Sequence, residues 1–218
     1  MRKPPEIRAV VFDVGETLID ESRLWRAWAE WLGVSPFTFF VAMGSVIGSG
    51  RDHRDVFAML GFDYEREAAA RTAAGIVGGF GRGDLYPDVR PCLDALRADG
   101  YAIGVVGNQP ARAEGQLKEL DLPVDLVATS AGWGVSKPSP VFFARVATAM
   151  GCPPAEIVHV GDRVDNDVMP AATAGMLSVF IRRGPWALIQ RDWPGAEQAR
   201  ITIDSLAELP PALRGLDS

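Results

Sequence analysis

Five short apolar runs rich in β-branched residues recur along this chain, and the segments between them carry apolar residues every three to four positions. The runs are RAVVFDV (Arg8 to Val14), YAIGVVG (Tyr101 to Gly107), VDLVATS (Val124 to Ser130), EIVHVGD (Glu156 to Asp162) and LSVFIRR (Leu177 to Arg183). A strand covered by helices on both sides reads as a continuous apolar run, whereas a half-solvated strand alternates. The intervening segments PDVRPCLDALRADG, ARAEGQLKELDL, SPVFFARVATAMG and VMPAATAGM have the helical period. Gly100 and Gly151 stand where two of these helices should stop, because glycine accepts the left-handed backbone that ends a helix. Strand–helix alternation of this kind predicts a doubly wound α/β domain built on a parallel sheet. The tail offers one more short strand, Arg200 to Ile203, and a last helical turn.

From Glu21 to Asp84 the alternation stops. SRLWRAWAEWLG, SPFTFFVAMGSVIG, RDVFAMLG and YEREAAARTAAGIVGGF are helical patterns, and no convincing strand separates them. The expected organisation is therefore a core domain over residues 1–20 and 85–218, interrupted after its first strand by an all-helical insertion over 21–84. An insertion leaving the first strand's C-terminal end is read as a lid over the crevice where open α/β sheets bind ligands. Trp25, Trp28 and Trp31, with Leu24 and Leu32, form a helix core face rather than a ligand-stacking stripe. Gly44, Gly48 and Gly50 follow no strand and are read as a helix end and loop, not a phosphate cradle.

Composition narrows the partners. With 218 residues the chain can bury a substantial core, and 48% hydrophobic against 23% charged residues excludes a disordered chain. The 22 basic and 28 acidic side chains leave a net charge of −6, the wrong sign for a phosphate-backbone binder, so no nucleic-acid partner is expected. Cys92 and Cys152 are too few for a disulfide framework or a cysteine-rich zinc site. The N-terminal residues do not read as a signal peptide, and no stretch approaches the ~20 apolar residues of a membrane span. A cytoplasmic protein with no membrane partner is expected; oligomeric state is not legible.

Polar residues cluster at the ends of the expected strands. Asp13 ends the first and Asn108 follows the second. Lys137 lies in GVSKPSP after the third, and Asp162, Asp165 and Asp167 lie in GDRVDND after the fourth. Parallel strands bring these ends to one edge, so residues more than a hundred positions apart share a site. Several carboxylates in a confined space cannot all stay ionised without a counterion. All-oxygen donors select a hard divalent cation such as Mg²⁺.

FDVGETL, VVGN, GVSKPSP and VGDRVDND together resemble, in order, the four motifs of the haloacid dehalogenase-like (HAD) hydrolase superfamily. They span Asp13 to Asp167. The resemblance implies a Rossmann-like core with a helical cap of the first type, and a Mg²⁺-dependent phosphatase of a small phosphorylated metabolite. It implies that Asp13 is the nucleophile that carries the phosphoryl group. The metal would be held by Asp13, the Gly15 carbonyl, Asp162 and Asp167, while Lys137 offsets negative charge. Gly107, Asn108 and Lys137 would face the phosphoryl oxygens.

Two positions depart from the family pattern. Phosphatases of the family usually carry a second Asp two residues after the nucleophile, which protonates the leaving alcohol and then activates water; here that position is Gly15. General acid–base assistance is worth roughly 10²- to 10⁴-fold. Glu16 is the neighbouring candidate for the missing acid, with Asp20, Glu21 and His53 behind it. The Ser or Thr expected before Asn108 is Gly107, which removes a hydroxyl donor and leaves backbone amides to bind an anion. His53 otherwise reads as a surface residue of the insertion, and His159 as a hydrogen-bonded core residue. Asp165 reads equally as a ligand or as loop decoration.

The departures keep a second class in view, a protein that retains fold and site but has lost turnover and acts as a binding or regulatory module. A 2-haloacid dehalogenase also lacks the second Asp. The acidic pair in GDRVDND and the absence of a Tyr at position 15 argue against that third reading.

Overall fold

In the computed structural model, which describes residues 6–76 and 78–216, the apolar runs become one parallel sheet. Its strands are β1 (Ala9–Phe12), β2 (Ala102–Gly107), β3 (Leu126–Thr129), β4 (Ile157–Gly161), β5 (Leu177–Ile181) and β6 (Ile201–Ile203). They lie in the order β3-β2-β1-β4-β5-β6. Every neighbouring pair is parallel. Phe12 is level with Val105 on one side and Val160 on the other. The chain builds outward from β1 to β3, then returns to β4 on β1's other side, so the order reverses at β1. A crevice opens at such a reversal, beyond the carboxyl ends of the strands.

The described residues fall into two compact units, one drawn from Met1–Asp20 and Gly81–Ser218 and one from Glu21–Phe80. Residues 81–84, which the pattern alone assigns to the helical segment, go with the sheet unit. The Asp20 amide donates to the Asp84 carbonyl, and Tyr86 to Leu18, tying the returning chain to the departing one.

Helices α1 (Ser22–Trp31), α2 (Pro36–Gly48), α3 (Asp55–Met59) and α4 (Tyr64–Ala73) make up the helical unit. Ser35 caps α2 by accepting from the Thr38 amide, and Asp63 caps α4 by accepting from Arg66. An aromatic core holds the unit together: the Trp28 and Phe57 rings meet edge to face at 4.9 Å, and Phe57 and Tyr64 at 5.0 Å. Trp25 and Trp28 are buried as the helical period predicts, while Trp31 lies partly exposed and donates to Glu67 at 3.0 Å. Gly44 and Gly48 lie inside α2, and Gly50 follows it with φ of 73°.

The sheet unit adds α5 (Val89–Ala98), α6 (Arg112–Glu119), α7 (Ser130–Trp133), α8 (Pro140–Met150), α9 (Met169–Thr173), α10 (Gly184–Gln190) and α11 (Leu209–Arg214). Helix α8 begins with a Ser139 cap and Pro140, positions that suit both residues. It ends at Gly151 with φ of 68°. It buries Phe142, Phe143 and Val146 in one cluster with Val11, Val106 and Ile157 of the sheet. Each large side chain so buried contributes roughly 1.5–3 kcal/mol. Helix α5 buries Val89, Cys92, Leu93 and Leu96, a single helical stripe. Both cysteines are free and buried. No single helix among the described residues is long and apolar enough to cross a membrane.

Candidate active site

The site is assembled where β1, β2 and β4 end. Asp13 follows β1 directly, and its amide donates to the Val160 carbonyl of β4 at 2.9 Å, extending the sheet by one residue and fixing where the side chain starts. Asp162 follows β4. Asp167 lies on a wide π-type turn, Val164–Val168, in which the amides of Asp167 and Val168 both donate to the Arg163 carbonyl. Such turns re-aim side chains and recur at functional positions. Here the turn buries Asp167 and leaves Asp165 outside, paired with Arg163 at 2.7 Å.

One carboxylate oxygen each from Asp13, Asp162 and Asp167 lies within 4.8 Å of the others, and all three residues are buried. Lys137, 4% exposed, reaches in from the loop before α8. Its Nζ donates to Asp13 Oδ1 at 2.6 Å and to Asp167 Oδ1 at 2.5 Å. Asn108 holds that loop: its Nδ2 donates to the Lys137 carbonyl, and its Oδ1 accepts from the Lys137 amide, both at 2.9 Å. Both polar atoms of the Asn108 side chain are thus engaged in orienting Lys137, leaving its backbone for any anion.

The electrostatics are uneven. Burial and the Asp13, Asp167 and Glu16 charges push the Asp162 carboxyl far above the usual carboxylate range. Its Oδ2 is buried with no hydrogen-bond partner. Burial also raises Asp13, against the pull of the Lys137 charge. At Asp167 burial works the same way, but the Lys137 charge and the His159 hydrogen bond outweigh it and hold the carboxyl well below its ordinary range. Burial works to lower Lys137, and the charges of Asp13 and Asp167 win, so the ammonium stays protonated. One lysine faces three close carboxylates, and an orphaned oxygen remains. This all-oxygen, over-acidic, buried cluster fits a hard divalent cation.

Glu16 is brought to the site's margin rather than into the cluster. It is buried, adopts the left-handed backbone with φ of 52°, and its Oε2 accepts from Tyr86 Oη at 2.7 Å. Burial, with the Glu16 charge second, raises the Tyr86 phenol, which stays protonated. Gly184 makes room: a Cβ there would stand 2.4 Å from Glu16 Oε2. His159 is fully buried in β4, with Nε2 3.0 Å from Asp167 Oδ1. His53 belongs to the helical unit, its ring edge-on to Trp25 at 5.3 Å. Glu21 accepts from Trp25 Nε1 at 3.1 Å.

Sequence reasoning missed three supporting residues. A Cβ on Gly161 would fall 2.2 Å from Asp167 Cγ, so only glycine lets that carboxylate approach β4. A glycine inside a strand pattern is itself a sign of close approach. Tyr86 and Gly184 carry no comparable local signal.

Known proteins resemble this chain over most of its length. The chain is 34% identical over 201 residues to a glyceraldehyde 3-phosphate phosphatase of Methanopyrus kandleri, covering 83% of this chain and 86% of that protein. It is 26% identical to the protein of the same name from Pyrococcus furiosus, covering 93% and 91% of the two chains. The crystal structure of a HAD phosphatase from Thermococcus onnurineus superposes with a TM-score of 0.62 at 28% identity, covering 96% of this chain and 99% of that one. The family model for haloacid dehalogenase-like hydrolases matches residues 7–175, a span that takes in the whole acidic and lysine cluster, and the chain belongs to that family of enzymes.

Proposed function

We propose that this hydrolase is a Mg²⁺-dependent phosphatase of a small phosphorylated metabolite, acting through an aspartyl phosphate on Asp13. The observation that carries the reading is the Lys137 ammonium bridging Asp13 and Asp167 beside Asp162, whose Oδ2 is buried and unpartnered. The phosphatase names of relatives that share most of the chain's length support the substrate class.

In this reading Asp13, the Gly15 carbonyl, Asp162 and Asp167 would hold Mg²⁺, which would supply positive charge against the transferring phosphoryl group. Phosphoryl transfer is mostly positioning and charge stabilisation. An Asp13 carboxylate oxygen attacks phosphorus and the ester P–O bond breaks, leaving the phosphoryl group on Asp13 and the electron pair on the departing oxygen. Water then attacks phosphorus and passes a proton to the carboxylate that protonated the leaving oxygen, the phosphorus bond to Asp13 breaks, and inorganic phosphate leaves. Lys137 neutralises charge on Asp13 and on the phosphoryl oxygens, which the backbone at Gly107 and Asn108 also faces. Gly15 has no side chain to move a proton, and Glu16, held by Tyr86 at the margin of the site, is the candidate proton carrier for the leaving oxygen.

The test is a panel of phosphorylated metabolites and an aryl phosphate assayed with and without Mg²⁺. Expected are Mg²⁺-dependent release of phosphate, a covalent phosphoenzyme trapped by acid quench, and loss of both in Asp13→Asn. Glu16→Gln should slow alkyl phosphates more than aryl ones, since only the former need a proton at the leaving oxygen. An active Asp13→Asn enzyme refutes the nucleophile. The missing acid at Gly15 favours one second reading, a binding module; a wild type that binds Mg²⁺ but is inert on the whole panel would select it.

A further inference from the structure

We infer that His159 is a positioning residue for the metal site, acting through Asp167. The inference rests on the metal reading above. Strand β4 is buried over its whole length, and an apolar side chain would be the cheapest occupant of position 159. Instead a fully buried imidazole sits there, edge-on to Phe143 at 5.3 Å. One of its nitrogens, Nδ1, has no hydrogen-bond partner. A buried polar atom left unpaired is destabilising, and what stands against that cost is the one hydrogen bond His159 makes, to the Asp167 carboxylate.

What His159 supplies is a donor at one place. Asp167 Oδ1 accepts from Lys137 Nζ and from His159 Nε2, while Oδ2 accepts from the Arg163 amide at 3.3 Å. Because the carboxylate is an acceptor, the His159 hydrogen sits on Nε2. Lys137 links Asp167 Oδ1 to Asp13 Oδ1, while His159, anchored in β4, binds the same Asp167 oxygen, and bare Gly161 lets the carboxylate close onto the strand. The side chain therefore fixes the orientation of Asp167, and through the shared oxygen the placement of Lys137 and Asp13. Outer partners of this kind typically change metal affinity by roughly 10- to 100-fold when removed.

The test is Mg²⁺ titration by calorimetry on the substrate-free protein, for wild type and for His159→Leu, His159→Phe and His159→Gln, with thermal unfolding in EDTA alongside. The apolar variants remove both the unpaired Nδ1 and the donor to Asp167, so unfolding in EDTA serves to verify that they fold, and Mg²⁺ binding is expected to weaken about ten-fold or more. His159→Gln, which restores an N–H donor, is expected to recover most of the affinity. Any one folded apolar variant compared with Gln suffices. Wild-type Mg²⁺ affinity in a folded apolar variant overturns the inference and leaves the metal reading standing, as does an affinity loss of the same size in Gln. A wild type that binds no Mg²⁺ overturns the metal reading and this inference with it.

Discussion

Gly107 lies so close to Asp13 that a Cβ on it would stand 2.9 Å from Asp13 Oδ1 and 2.8 Å from Val14 Cγ2. The hydroxyl residue usual at this position of the family cannot be accommodated unless Asp13 or Val14 shifts. The departure at Gly107 is thus tied to where Asp13 sits. Gly107→Ser and Gly107→Ala are expected to lower kcat alike, by roughly 10²-fold, because displacement of a reacting group by about 1 Å costs that much. Steady-state kinetics on an aryl phosphate checks this. A Ser variant more active than wild type would mean that the lost hydroxyl, not the close approach, governs the position.

Among the described residues, Lys137 is the cation that bridges Asp13 and Asp167. Lys137→Met keeps the length and removes the charge, leaving three buried carboxylates to repel. We expect kcat to fall by about 10²-fold or more, and the unfolding temperature in EDTA to drop. Saturating Mg²⁺ should then raise that temperature by more than it does in wild type, because the ion replaces the charge that Lys137 supplied. Calorimetric unfolding with EDTA and with Mg²⁺ reads both effects; equal Mg²⁺ shifts in the two proteins would contradict the assignment.

Gly15 leaves the leaving oxygen without the usual acid. Gly15→Asp is expected to raise kcat on alkyl phosphates by ~10-fold or more, within the range of general acid assistance. An aryl phosphate, whose leaving group is already a weak base, should respond little. Equal gains on both would show that the new carboxylate acts by charge or metal binding rather than by proton transfer.

The pH dependence of stability is expected to carry a contribution from Asp88, which lies outside the cluster of Asp13, Asp162 and Asp167. Burial works to raise its carboxyl, but hydrogen bonds from Arg183 and Ser205, the Arg183 charge and the Leu206 amide outweigh it, and it lies below its ordinary 3.8. The folded state therefore binds this proton less tightly than the unfolded chain. Its stabilisation is fully present above pH 3.8 and is lost as pH falls through the lower folded value. Asp88→Asn should cost roughly 1–3 kcal/mol near neutrality, and the gap to wild type should close below about pH 4. A gap independent of pH would remove the ion pair with Arg183 as its cause.

The acidic and lysine positions were legible because they sit next to strand ends, and strand ends are written in local hydrophobic pattern. Asp13, Asp162 and Asp167 do converge, as parallel strands require. Asn108 shows the other side: its place at the end of β2 was readable, yet both polar atoms of its side chain hold the Lys137 backbone. Glu16 shows it again. Its sequence position next to Gly15 suggested an acid, but its left-handed backbone and its bond to Tyr86, 70 residues away, depend on how the returning chain packs.

By itself the sequence determined the strand–helix alternation, the parallel sheet, the helical insertion and the acidic residues at strand ends. Each of these is a periodicity or a neighbour relation carried by a few consecutive residues. Tertiary structure alone decided that Lys137 bridges Asp13 and Asp167, that His159 meets Asp167, and that glycines 107, 161 and 184 are the places where side chains need room. Those are distances between residues as far apart in the chain as Asp13 and Lys137, or Glu16 and Gly184. They follow from sheet register and the packing of whole elements, which no local pattern encodes.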